Sequence, residues 1–253
     1  ELDDGTIVEE KEQIPQVVFD KVAKIERIYI NPTNCIPAPG VIEAIKEADA
    51  IIIGPGSLYT NVIPNLLVKN VSKTIKESNA IKIYVSNIMT EPGQTDNYSL
   101  SDHIKAIIDH AGKGIVDYCI YDSGEIIPEF IKIYNKKGSD VVEQDIQKAK
   151  ELGIKLLEKN LSQIIDDNIR HNTEAVAESV IELICDDLRF KDKQNDPKYV
   201  MLNTKLREEK KNIKMQKKQE KETRKTQEKK EKADKKRVHS KSKFNSKYSD
   251  RIQ

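Results

Sequence analysis

Short polar side chains gather in two places in this 253-residue chain, each time just after an apolar run. The first is Gly54-Pro55-Gly56-Ser57-Leu58-Tyr59-Thr60, behind Ile51 to Ile53; the second is Asn87 to Asp96, behind Ile81 to Ser86. Two glycines around a proline turn the backbone sharply and leave amide donors free, which suits a phosphate. Ser57, Tyr59 and Thr60 in one loop, and Asn87, Thr90, Thr95 and Asp96 around Pro92-Gly93 in the other, offer the hydroxyl and amide groups that suit a sugar edge. Either loop alone reads equally well as an ordinary connection. Ser57 lies in Gly-Pro-Gly-Ser-Leu, without the Gly-x-Ser-x-Gly elbow or a histidine placed to activate it. It is therefore expected to donate a hydrogen bond to a ligand and not to act as a nucleophile.

Further along, Arg170 precedes a helix expected from Glu174, with Asn172 as its cap. A guanidinium beside a positive helix end complements a diphosphate, although an arginine there is more commonly a solvated charge. Tyr134 ends another helix and is expected either to stack on a base or to pack. His103 and His110, seven apart with Asp102 and Asp109 beside them, read as a helix surface; no third ligand at useful spacing supports a metal site. No catalytic residue, metal or certain cofactor is indicated.

The elements that must hold these loops alternate. Ile25 to Ile30 reads as a strand, Pro39 to Ala48 as a helix, and Ala50 to Ile53 as a short strand buried on both faces. Val71 to Ser78 is the next helix and Ile81 to Ser86 the next strand. Ser99 opens a helix through Ala111 with Asp102 completing a capping box. Ile115 to Tyr121 follows as a strand, then Pro128 to Tyr134 as a helix and Val141-Val142 as a short strand. Asp145 to Leu152 (helix), Ile154 to Leu157 (strand) and Glu174 to Leu188 (helix, with Val176, Val180, Ile184 and Leu188 on one face) complete the series. Such regular alternation predicts a parallel sheet flanked by helices, with both polar loops at one sheet edge.

With these motifs in place, the chain resembles the gluconeogenesis factor family. That family's pattern, Gly-Pro-Gly-Ser-Leu-Tyr-Thr-Ser followed by Pro-Asn, matches Gly54 to Thr60 and Pro64-Asn65, with Asn61 replacing the last serine. Its Thr-Gln-Pro-Gly-Glu-Thr-Asp loop matches Thr90 to Asp96, with Glu91 and Gln94 exchanging residue types. An Arg-His-Asp stretch of the family falls on Arg170-His171-Asn172, and a family tyrosine on Tyr134. The match covers about residues 1 to 190. The resemblance implies a Rossmann-like α/β domain akin to 2-phospho-L-lactate transferase. It also implies a cytoplasmic bacterial regulatory protein that binds a UDP-sugar and acts in carbon metabolism and cell shape, without an established catalytic reaction. Its ligand-binding residues would be Gly54, Gly56, Ser57, Leu58, Tyr59, Thr60, Asn65, Asn87, Thr90, Pro92, Gly93, Thr95, Asp96, Tyr134 and Arg170. Homo-oligomerisation is expected. The alternative is a transferase of a phosphate-linked group. Asp122, in Tyr121-Asp122-Ser123-Gly124 where the family favours asparagine, is expected to repel phosphate. The family's amino-terminal glycine-rich loop has no counterpart here, and a start at Glu1 reads as a fragment.

Charge divides the chain. Its 43 basic and 42 acidic residues separate into a net charge of −11 for residues 1–204 and +12 from Lys205 onward. The first 190 residues can bury one core; 191–253 form a Lys/Glu-rich tail without an apolar seam, expected to be a frayed helix or disordered. It reads as a solubilising segment or as a weak electrostatic arm for an acidic partner. Three scattered cysteines indicate neither a disulfide framework nor a zinc site, and no window is apolar enough to span a bilayer.

Overall fold

A computed structural model describes residues 1–186 and, beyond them, 197, 200–205, 207, 208, 211, 212 and 215. Most of the Lys/Glu-rich tail and the end of the helix expected through Leu188 lie outside the described residues. The chain divides into two units, Glu1–Ile184 and Cys185–Gln253.

In the first unit, α1 (Ile14–Lys21) and α2 (Val41–Glu47) precede β1 (Ala50–Ile53). A single wide turn, Leu58–Val62, then runs into α3 (Ile63–Leu67) and α4 (Val71–Glu77) before β2 (Ile81–Val85). The series continues with α5 (Leu100–Ala111), β3 (Tyr118–Asp122), α6 (Pro128–Asn135), α7 (Ile146–Glu151) and β4 (Lys155–Lys159). A hairpin follows, β5 (Ser162–Ile165) and β6 (Asn168–His171), and then α8 (Thr173–Asp186), which runs past the end of this unit at Ile184. Strands β1 to β4 form a parallel sheet in that order. The expected Rossmann-like α/β architecture is therefore the one that forms.

Alternation along β2 explains how both faces are covered. Ile81, Ile83 and Val85 point to one side, where they join Ile120, Leu161 and, from α8, Val180 and Leu183. Tyr84 points to the other, where α3, α4, α5 and their neighbours supply Leu66, Ile75, Ile104 and Ile107. β2 is buried at every position. β1 departs from expectation: Ile53 is buried but Ile52 is 50% exposed, because β1 pairs only with β2 among the described residues. Ile25 to Ile30 forms no strand; an isolated bridge to Leu2 is its sole sheet contact among the described residues. Its alternation reflects Ile25 and Ile28 packing on the core from irregular backbone. Val141 likewise makes only a bridge, to Met89.

Local chemistry sets the ends of α5. The Ser99 hydroxyl accepts from the Asp102 amide and the Asp102 carboxylate accepts from the Ser99 amide, the expected capping box. Gly112 closes it. The hairpin was not foreseen: Asp166 and Asp167 both adopt positive φ, 47° and 58°, in its two-residue turn.

Candidate ligand cleft

Because β1 and β2 are parallel neighbours, the loops that follow them leave the same end of the sheet. Side chains tie them together. The Asn87 amide donates to the Gly56 carbonyl at 3.1 Å, and the Ser57 hydroxyl donates to the Glu91 carboxylate. Thr60 Oγ1 in turn donates to Ser57 Oγ at 2.7 Å. The Ser57 proton, expected to serve a ligand, is thus directed to Glu91. The backbone amides of Gly56 and Ser57 donate to nothing among the described residues.

These loops form two walls of a cleft of about 590 Å³, within the range of small-molecule sites. The other walls come from the end of α6 and from β6. Tyr134 joins those two elements, its hydroxyl accepting from the Ile169 amide at 3.1 Å, while its ring borders the cleft. Ser139 donates to the Thr90 carbonyl, and Thr90 Oγ1 accepts from the Asp140 amide at 2.9 Å, closing the α6 side onto the second loop.

Of the expected ligand residues, Gly56, Ser57, Asn87, Thr90, Pro92, Tyr134 and Arg170 line this cleft. Others shape it from behind. Thr95 is fully buried and its hydroxyl accepts from the Glu91 amide at 2.8 Å; the Asp96 carboxylate accepts from the Gly93 amide at 2.7 Å. Gly93, at φ 72°, lies so close to α1 that an added Cβ would fall 2.5 Å from the Pro15 backbone. Gly54, also at positive φ, leaves only 3.0 Å between an added Cβ and the Val85 carbonyl. Leu58 and Tyr59 are core residues. Tyr59 and Thr60 border a separate hollow of about 400 Å³ lined with Ile7, Val8, Ile14 and Ile25. Asn65 is exposed on α3, its side chain donating to the Asn61 carbonyl at 2.6 Å.

Arg170 does not precede the helix directly. It sits on β6, opposite Gln163, and Asn172 alone caps α8 by accepting from the Ala175 amide at 3.1 Å. Its guanidinium is exposed at the cleft with no partner among the described residues. Lys137, which the sequence reading passed over, also lines the cleft, from the turn after α6, and is likewise unpaired among the described residues. Its signal was the Lys137-Gly138-Ser139 turn, where Gly138 has φ 81°. His171 adds no third cation: burial pushes its pKa down, and its Nε2 bonds the Ser86 carbonyl at 3.0 Å.

Two expectations about charge are corrected. Asp122 does not face ligand; Oδ1 of its buried carboxylate accepts from the amides of Leu161 (2.6 Å), Ser162 (2.9 Å) and Gly124 (3.1 Å), fastening β3 to the β4–β5 junction. His103 and His110 do not form an open helix surface. His103 is fully buried, edge-on to the Tyr98 ring, and His110 takes the Ile28 amide at 3.0 Å while facing Tyr59. Burial lowers both pKa values. Among the described residues no group of three or more His, Cys, Asp or Glu is placed to hold a metal, and no helix is long and apolar enough to cross a membrane.

The family model of 2-phospho-L-lactate transferase CofD matches residues 1–162. A putative gluconeogenesis factor of Clostridium acetobutylicum is 40% identical over 210 residues, 83% of this chain and 47% of that protein. The gluconeogenesis factor of Halalkalibacterium halodurans is 43% identical over 183 residues, 72% and 55% of the two chains. That of Bacillus subtilis is 36% identical over 184 residues, 73% and 57%. A crystal structure of a Bacillus halodurans protein superposes with TM-score 0.69 at 41% identity, covering 72% of this chain and 57% of that one. The chain spans about half the length of the curated relatives it matches.

Proposed function

This chain belongs to the gluconeogenesis factor family, built on a CofD-type fold, and on that premise we propose that it binds a uridine diphosphate sugar as a regulatory protein of carbon metabolism and cell shape. The observation that carries the reading is that Lys137 and Arg170, two exposed cations without a partner among the described residues, line one cleft of nucleotide-sugar size. An aromatic ring, Tyr134, stands beside them for a base or sugar face.

The match to a transferase family model supports a second reading, transfer of a phosphate-linked group. The two separate on turnover: a regulator binds UDP-sugar and returns it unchanged, whereas a transferase consumes its donor.

Calorimetry with UDP-glucose and UDP-N-acetylglucosamine tests binding directly. Arg170→Ala is expected to fold normally and to lose roughly 1.5 to 3 kcal/mol of affinity, the scale of a charge-assisted hydrogen bond. Arg170→Lys recovers only part, because an ammonium cannot fork across two phosphate oxygens. Unchanged affinity in the alanine variant would return Arg170 to the solvated surface.

A further inference from the structure

The charges on the cleft are unlike and unpaired. Glu91 lines it from the loop after β2, while Lys137 lines it from the turn after α6 and Arg170 from β6. Neither cation lies within 4.0 Å of the Glu91 carboxylate, and no ion pair joins them among the described residues. Three charged groups on one cleft thus leave their strongest interactions to a guest.

Around Glu91 the hydrogen bonds run one way, from Thr60 to Ser57 and from Ser57 to Oε2 of Glu91. Oε1, the other carboxylate oxygen, has no partner among the described residues. A carboxylate accepts and cannot donate, so this oxygen calls for a donor. In the loop whose Ser57 hydroxyl reaches Glu91, the backbone amides of Gly56 and Ser57 donate to nothing among the described residues and call for an acceptor. A phosphate on those amides would meet the Glu91 charge at close range. A hydroxyl satisfies both demands, accepting from an amide while giving its proton to the carboxylate.

We propose that the cleft is bipolar: Glu91 with the Gly56 and Ser57 amides reads a sugar hydroxyl, and Lys137 and Arg170 take the phosphates. This rests on the nucleotide-sugar reading and makes Glu91 a specificity residue of that site. It reverses the assignment that free amides after Gly54 imply at first sight, because the carboxylate that Ser57 reaches makes this the poorer end of the cleft for an anion. The hydroxyl belongs either to the ribose or to the second sugar of the ligand.

The test uses the full 253-residue chain, titrated calorimetrically with UDP-glucose, UDP and pyrophosphate. Glu91→Gln keeps the shape and an oxygen acceptor for Ser57 while removing the charge. It is expected to weaken UDP-glucose roughly tenfold, the low end of what a hydrogen bond to a charged group supports, and to leave pyrophosphate unchanged or tighter. Arg170→Ala is expected to weaken all three ligands. A tenfold loss on UDP as well assigns the hydroxyl to the ribose; UDP binding within twofold of the parent assigns it to the second sugar. Equal losses on UDP-glucose and pyrophosphate, or no loss on either, would overturn the inference while the proposed function stood. A parent chain that takes pyrophosphate but neither uridine nucleotide would overturn both. Equal melting temperatures of parent and variant verify that Glu91→Gln acts on the cleft and not on folding.

Discussion

His103 shows how a single residue ties this fold to pH. Its Nδ1 bonds the Ser99 carbonyl at 2.9 Å, and its Nε2 is buried without a hydrogen-bond partner among the described residues. Charging that ring inside the core is unfavourable, so the folded pKa lies below the ordinary 6.5. The sign follows. Above pH 6.5 the ring is neutral in both states and contributes no pH dependence. As pH falls through 6.5 the unfolded chain takes a proton that the folded chain refuses, and stability drops until the folded pKa is reached. His110 and His171 are shifted the same way and act in the same window. Urea melts are expected to show a lower midpoint at pH 5.5 than at pH 7.5, and His103→Phe, which keeps a ring against Tyr98, is expected to narrow that difference. An undiminished difference in the variant would remove His103 from the account. None of this was legible in the sequence, where two histidines seven apart beside aspartates look solvated. Their surroundings include Tyr59, from the turn after β1, and Tyr98, from the residues just before α5.

At the level of elements, what the sequence reveals is what local chemistry decides. The α5 capping box needs only Ser99 and Asp102, and Ser99→Ala is expected to cost about 1 kcal/mol in a denaturant melt. The parallel strands were legible because Ile51 to Ile53 and Ile81 to Val85 are apolar at nearly every position. The hairpin was not, since its four-residue strands carry a weak pattern and its turn uses Asp166-Asp167 in place of a glycine signal. Missing it put Arg170 before a helix when it stands on a strand. The loops were placed correctly side by side, but a set of polar residues cannot separate side chains that line the cleft from those, such as Thr95 and Asp96, that hold the loop. Asp122 is the long-range counterpart of a cap. Asp122→Ala would strand the Leu161 amide, which is buried with its residue, and is expected to destabilise the domain by about 2 to 3 kcal/mol. Asp122→Asn, which keeps an acceptor oxygen, is expected to cost less; equal losses in both would show that charge, not the hydrogen bonds, is what matters.

The whole chain is nearly neutral only because opposite halves cancel. Ending it at residue 204 changes the formal net charge from +1 to −11. We therefore expect the full chain to bind a polyanion such as heparin at low salt and to release it as ionic strength approaches the physiological range. The 1–204 chain is expected not to bind. Retention of the shortened chain on heparin at low salt would place the anion site in the first unit, with Lys137 and Arg170 the cations to examine next. Sequence alone was sufficient for this charge split, because net charge does not depend on how the chain folds.

The tight glycines behind the cleft also bear on how its ligand preference can be altered. A Cβ at Gly93 would strike Pro15, and one at Gly54 would crowd Val85. A mutational library spread across both loops would lose most members at such positions to misfolding before selection for a new ligand began. Diversity confined to positions 137 and 170 leaves the hydrogen bonds between the loops untouched and samples the charges directly, while a change at 91 also alters the contact to Ser57. The cleft is rigid in its backing and open to variation on its rim, so a change of ligand can arise by single steps at that rim without first rebuilding the loops.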